Sequence, residues 1–154
     1  MKVYLMQHGI AKPKEQDPEQ GLTEQGIQDT EKLSQFVGKM GLDFESIFYS
    51  EKRRSAQTAQ ILGKYLRLSL GVHEADLLGP DGDVGAWKMR LLCSEGDTVL
   101  VSHRPLLDKL VSSLVIDDSD KPIVQFQNTA MVCLEEQKDE IFDVKWLITP
   151  EMLG

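Results

Sequence analysis

Apolar positions along this chain recur with two spacings. Residues 2–6 (KVYLM), 46–49 (SIFY) and 98–101 (TVLV) are short continuous runs of the kind that fill strands buried on both faces. Between them the spacing lengthens to three and four. Ile27, Thr30, Leu33, Val37 and Met40 mark one face of a helix, with Thr23 as its capping hydroxyl and Gly41 at its close. A second helix is predicted over 54–66, burying Ala59, Leu62 and Leu66. The turn sequence GPDGD (79–83) leads into a third, carrying Val84, Trp87 and Leu91, with Asp83 as its cap. Pro105 suits the first turn of a fourth, whose face is Leu107, Leu110, Val111 and Leu114. Residues 11–21, polar with two prolines, read as a loop, and 70–73 as a short strand. Residues 130–134 and 141–148 end the pattern as two strands, a hairpin turning around 137–139. Strand–helix alternation followed by a hairpin predicts an α/β sandwich with a mixed sheet.

Composition narrows the class. A chain of 154 residues supports one core, so a single domain over 1–154 is expected. The net charge of -8 argues against a nucleic-acid partner, which needs a basic stripe. An anionic substrate must instead meet a local cationic pocket, and the one dense basic cluster is Lys52-Arg53-Arg54. Cys93 and Cys133 lack metal-ligand spacing and read as reduced thiols, so no metal is expected. No apolar run reaches the ~20 residues of a membrane span. The first residues enter a strand without a signal-peptide pattern, which together predict a cytoplasmic protein away from the membrane.

Ligands of α/β sheets gather beyond the carboxyl ends of strands. His8 and His103 each follow a predicted strand, and Arg54 stands a few residues past another, at the start of a helix. Any one of them alone reads as structural; Gly9 alone reads as a turn residue. Their joint placement on one sheet edge is what points to chemistry. Phosphoryl transfer suits the set: a neutral imidazole attacks phosphorus, and cations with N–H donors hold the equatorial oxygens. Arg54 offers a fork of donors, and His103 one more. His73 has no visible partner and reads as a core or surface residue.

These residues stand in segments that resemble the histidine phosphatase superfamily, in its small SixA-like branch. LMQHG (5–9) is similar to the family's strand followed by Arg-His-Gly. GLTEQG, with Leu22, Thr23 and Gly26, is similar to the opening of its first helix, and SEKRRSAQT to its second arginine segment. SHRP resembles the setting of its second histidine, and NTAMVCLE (128–135) its late strand. The resemblance implies a phosphoglycerate mutase-like fold, a three-layer sandwich whose mostly parallel central sheet is flanked by helices. It implies His8 as the phosphorylated nucleophile, with Arg54 and His103 clamping the phosphate. It implies no metal and no organic cofactor.

Two departures qualify this. Gln7 occupies the place of the family's first arginine and brings neither charge nor a guanidinium fork. Arg104, directly after His103, and Arg53 are the candidates to compensate; otherwise both face solvent. The wider superfamily also places an acid after its third strand. Asp81 and Asp83 are nearest to that place here, Asp83 reading better as a helix cap. A missing acid fits a P–N substrate, whose imidazole leaves more readily than an alkoxide. The expectation is a phosphatase acting on phosphohistidine of a phosphorelay or phosphocarrier domain, weakened by Gln7. The alternatives are a small-molecule phosphatase, or a protein that binds phosphate or a phosphoprotein without turnover.

Overall fold

The computed structural model describes residues Met1–Gly154. In chain order the elements are β1 (Lys2–Gln7), α1 (Glu24–Gly38), β2 (Asp43–Tyr49), α2 (Arg53–Gly63), β3 (Arg67–Glu74), α3 (Val84–Leu92), β4 (Thr98–Ser102), α4 (Leu106–Ile116), β5 (Met131–Glu136) and β6 (Phe142–Ile148). Six strands form one sheet in the order β3-β2-β4-β1-β5-β6. Strands β1 to β4 run parallel, while β5 and β6 are antiparallel to their neighbours. The expected mixed, mostly parallel α/β sandwich is what forms.

The continuous apolar runs follow from burial on both faces. In β1, Val3 and Leu5 pack with Trp87 and Leu91 of α3 and Leu107, Leu110 and Val111 of α4. Tyr4 and Met6 turn the other way, onto Leu33 and Val37 of α1 and Ala59 and Leu62 of α2. In β4, Leu100 belongs to the first core and Val99 and Val101 to the second. No helix is long and apolar enough to cross a membrane.

The elements differ from the sequence pattern where the pattern was weakest. The buried stripe of α1 is Gly26, Thr30, Leu33, Ser34 and Val37, so Ile27 flanks it and Met40 lies past the helix end; both are 40% exposed. Gly26 is on the stripe because α1 meets the main chain of Ile10, whose carbonyl a Cβ would strike. Helix α2 ends at Gly63, leaving Leu66 in the turn that follows. Strand β3 is longer than the expected 70–73. It is an edge strand and largely exposed, so it carries little apolar signal, and Gly71 at φ 84° accompanies a register irregularity beside β2. Pro105 sits one residue ahead of α4, at its N-cap. The hairpin turns through Lys138–Glu140, with left-handed Asp139 and Glu140, and β6 begins one residue later than expected. A short 3-10 turn, Pro150–Leu153, capped by Thr149, carried no recognised signal.

Candidate active site

Strands β1 and β4 are parallel neighbours with Gln7 opposite Ser102, so the chain leaves the sheet at two adjacent points. The next residues are His8 and His103. The His8 N–H donates to the Ser102 carbonyl at 3.1 Å. The two imidazole centroids lie 4.8 Å apart, tilted by 57°. Strand β2 flanks β4 on its other side. Its exit leads through Ser50 into α2, where Arg54 is the second helical residue and is close enough to depress both imidazoles.

Each ring is fixed by a specific contact. His8 Nδ1 lies 2.7 Å from the Gly9 carbonyl. A carbonyl only accepts, so the proton of neutral His8 sits on Nδ1 and Nε2 keeps its lone pair. His103 Nε2 meets the Ser50 hydroxyl at 2.6 Å. The Ser50 N–H donates to Ser55 Oγ at 3.0 Å, and Ser55 Oγ–H donates to the Val101 carbonyl at 2.8 Å, tying β2, α2 and β4 together behind the ring. His103 Nδ1 is buried without a partner. Burial pushes His8 down to about 4, opposed by the Gly9 hydrogen bond and helped by the Arg54 charge. Burial pushes His103 down to about 3, helped by His8, Arg54 and Lys52. Both rings are therefore neutral at pH 7. Burial also lowers Arg54, which the Glu51 carboxylate opposes; the guanidinium stays charged.

Gly9 departs from its expected role as a turn residue. Its φ is not left-handed. A Cβ there would lie 2.8 Å from Thr30 Oγ1 and 3.1 Å from the Gly26 carbonyl, so the glycine serves close packing of the histidine segment on α1. Its N–H donates to Thr58 Oγ1 at 3.0 Å, and the Thr58 hydroxyl donates to the Arg54 carbonyl at 2.8 Å. One threonine thus links the backbone after His8 to the turn bearing Arg54.

Residues 3–79 match the family model described as Histidine phosphatase superfamily (branch 1). The chain belongs to the histidine phosphatase superfamily. Its similarity runs to SixA-like members. It is 27% identical to the phosphohistidine phosphatase SixA of Escherichia coli (strain K12), over 97% of this chain and 94% of that protein. It is 33% identical to an uncharacterised protein of Picosynechococcus sp., over 74% of this chain and 73% of that one. The structure of the protein histidine phosphatase SixA complexed with tungstate shares the fold, with a TM-score of 0.88, 24% identity and full coverage of both chains.

In this histidine phosphatase the remaining candidates fall into distinct places. Gln7 is 8% exposed, its side chain makes no hydrogen bond, and its Oε1 is buried without a partner. Alternation along β1 puts it on the face of Leu5, whereas His8 follows Met6. Arg104 is engaged elsewhere: just ahead of α4, its Nε donates to Asp108 Oδ2 of the helix's first turn at 2.8 Å. Arg53 Nη1 lies 3.8 Å from Glu19 Oε2. Asp83 caps α3, accepting from the Ala86 N–H at 2.9 Å. Asp81 lines an open cleft of ≈ 280 Å³ with Glu51, Lys52 and Leu77. Neither aspartate is among the groups that shift the imidazoles. His73 is exposed on β3, its ring bonded to the Leu70 carbonyl. A second open cleft, ≈ 510 Å³, runs from Arg54 past Lys52 and Arg53 to Lys14 and Glu19.

The sequence reading overlooked Ser50, Ser55, Thr58, Asn128 and Thr129. Small polar residues at element ends look like ordinary caps and turns. The available signal was their place inside the motif segments SEKRRSAQT and NTAMVCLE, where each could have been asked which buried group it serves.

Proposed function

We propose that this chain is a phosphohistidine phosphatase, a single working domain over 1–154 that removes the phosphoryl group from histidine on a protein. The observation that carries the reading is the pairing of His8 and His103 at adjacent strand ends beside Arg54, with the His8 proton held on Nδ1. The Nε2 lone pair of His8 attacks phosphorus, and the P–N bond to the substrate imidazole breaks. The leaving nitrogen keeps the bond's electrons and takes a proton from solvent. The His8 ring is then cationic, protonated at Nδ1 and phosphorylated at Nε2. The Gly9 carbonyl that favours an imidazolium stabilises this cation by the same hydrogen bond. Arg54 and His103 supply charge and a hydrogen bond to the transferring oxygens, so the proposed reaction asks for no metal. Water then attacks phosphorus, Nε2 departs with its lone pair, and phosphate leaves.

The cleft lined by Arg54 and the neighbouring one at Glu51 and Lys52 are open, a shape that suits a protein surface as substrate. The similarity to SixA of E. coli supports the same substrate class. Gln7 weakens the site in this reading, since a neutral amide replaces a charged donor.

The test is turnover of phosphoramidate and of a phosphohistidine peptide, with the intermediate trapped at alkaline pH and mapped. Label on His8, and loss of turnover in His8→Ala, are expected. Label elsewhere, or turnover surviving in His8→Ala, overturns the mechanism. Gln7 also favours a second reading, a phosphate- or phosphoprotein-binding protein; phosphate binding without turnover in the wild type decides for it.

A further inference from the structure

The last turn before β5 reaches back to the proposed nucleophile. The Asn128 Nδ2 donates to the His8 carbonyl at 3.1 Å. The adjacent Thr129 N–H is shared between the His8 carbonyl at 3.2 Å and the Gln7 carbonyl at 3.1 Å. Two donors therefore converge on the one carbonyl that follows the His8 Cα. The antiparallel register pairs Met6 with Met131, and the Gln7 N–H donates to the Ala130 carbonyl at 3.1 Å. The corner thus stands where the ladder between β1 and β5 ends, opposite His8.

The corner has an unusual conformation for the residue that makes it. Thr129 has φ 69°, a region β-branched residues rarely adopt. It is fully buried, and its hydroxyl has no partner. The hydroxyl therefore does not explain the conformation; what the corner accomplishes is the delivery of Asn128 and the Thr129 N–H to His8.

The other peptide groups around His8 are held as well. Its N–H donates to the Ser102 carbonyl at 3.1 Å, and the next N–H donates to Thr58 at 3.0 Å. The Gly9 carbonyl that orients the ring belongs to the same segment. Asn128 supplies the one side-chain bond to the His8 main chain.

We propose that Asn128 is a positioning residue for His8: its side-chain amide, with the Thr129 N–H, fixes the His8 peptide so that Nε2 faces the phosphoryl group. The inference rests on His8 being the nucleophile. A small displacement of an attacking atom lowers the rate without removing the groups that bind substrate.

The experiment compares wild type, His8→Ala, Asn128→Ala and the isosteric Asn128→Asp, which cannot donate when ionised, on a phosphohistidine peptide at pH 7.5. Both Asn128 variants lose about 10- to 100-fold in kcat, with KM within about twofold of wild type. Phosphorylation of His8 slows in parallel, measured on folded protein with a retained thermal transition. Turnover lost in His8→Ala but intact in both Asn128 variants overturns the positioning role alone; turnover retained in His8→Ala overturns the nucleophile assignment beneath it. A second measurement needs no variant. In wild type one Asn128 side-chain N–H is protected from hydrogen exchange by the His8 carbonyl, and two freely exchanging protons contradict the inference.

Discussion

Gln7 shows how one side chain changes a site by what it lacks. Its amide is almost wholly buried and makes no hydrogen bond. Hydrogen bonds to charged groups contribute about 1.5–3 kcal/mol, against about 0.5–1.5 for neutral ones. Gln7→Arg is therefore expected to raise phosphatase kcat/KM by about 10- to 100-fold; equal or lower activity would mean that this site holds phosphate without a second guanidinium. The two imidazoles make a separate prediction. Their values, about 4 for His8 and about 3 for His103, lie below the usual 6.5. On an aryl phosphate, corrected for its own ionisation, kcat/KM should show no acid limb near 6.5 and should fall only toward pH 4. The same depression has a stability consequence. Below pH 6.5 the unfolded chain binds protons that the folded rings refuse, so stability falls with pH until about 4 for His8 and about 3 for His103. The urea midpoint should accordingly drop between pH 7 and pH 5, above most carboxylate titrations, and a midpoint that holds or rises contradicts the assignment.

Individual elements place these residues through close approach. The N-terminal half of α1 lies against the segment that follows β1, and Gly26 makes that possible. Thr23 caps the helix by accepting from the Gly26 N–H at 2.9 Å, while the Thr23 N–H donates to the Ile10 carbonyl at 2.9 Å. A methyl group at Gly26 would collide with that carbonyl. Alanine is the better helix former, yet Gly26→Ala is expected to destabilise by about 1–3 kcal/mol, because overpacking outweighs propensity. Equilibrium urea unfolding measures this, and an unchanged or higher midpoint would show that α1 can move away without cost. Because Gly9 packs on the same helix, activity should fall in that variant as well.

Across the whole molecule, an acidic chain of net charge -8 concentrates Lys52, Arg53 and Arg54 around the start of α2, where the Arg54 charge acts on half-buried His8 and buried His103. Phosphate that binds only the folded state stabilises it by mass action, about 2.7 kcal/mol at a hundredfold excess over Kd. For a chain of this size that is a rise in Tm of about 5–10 °C. Wild type should show the rise with inorganic phosphate at constant ionic strength, and Arg54→Ala should lose most of it. An equal shift in both proteins would mean that the anion binds elsewhere.

The central strands were legible because they are buried on both faces; residues 2–6 and 98–101 left little other reading. The helices were legible from their apolar spacing, though Ile27 and Met40 were misplaced because a repeat of three and four tolerates a one-residue rotation. Edge strand β3 was read too short, for want of burial. The sequence by itself determined that His8, Arg54 and His103 each follow a strand, since local periodicity locates strand ends. Only the tertiary structure decided that β4 lies beside β1 and that Ser50 backs His103. It also brought Asn128 to a carbonyl 120 residues away. Local pattern is fixed by neighbours along the chain, whereas these contacts depend on strand order and on which face each side chain takes.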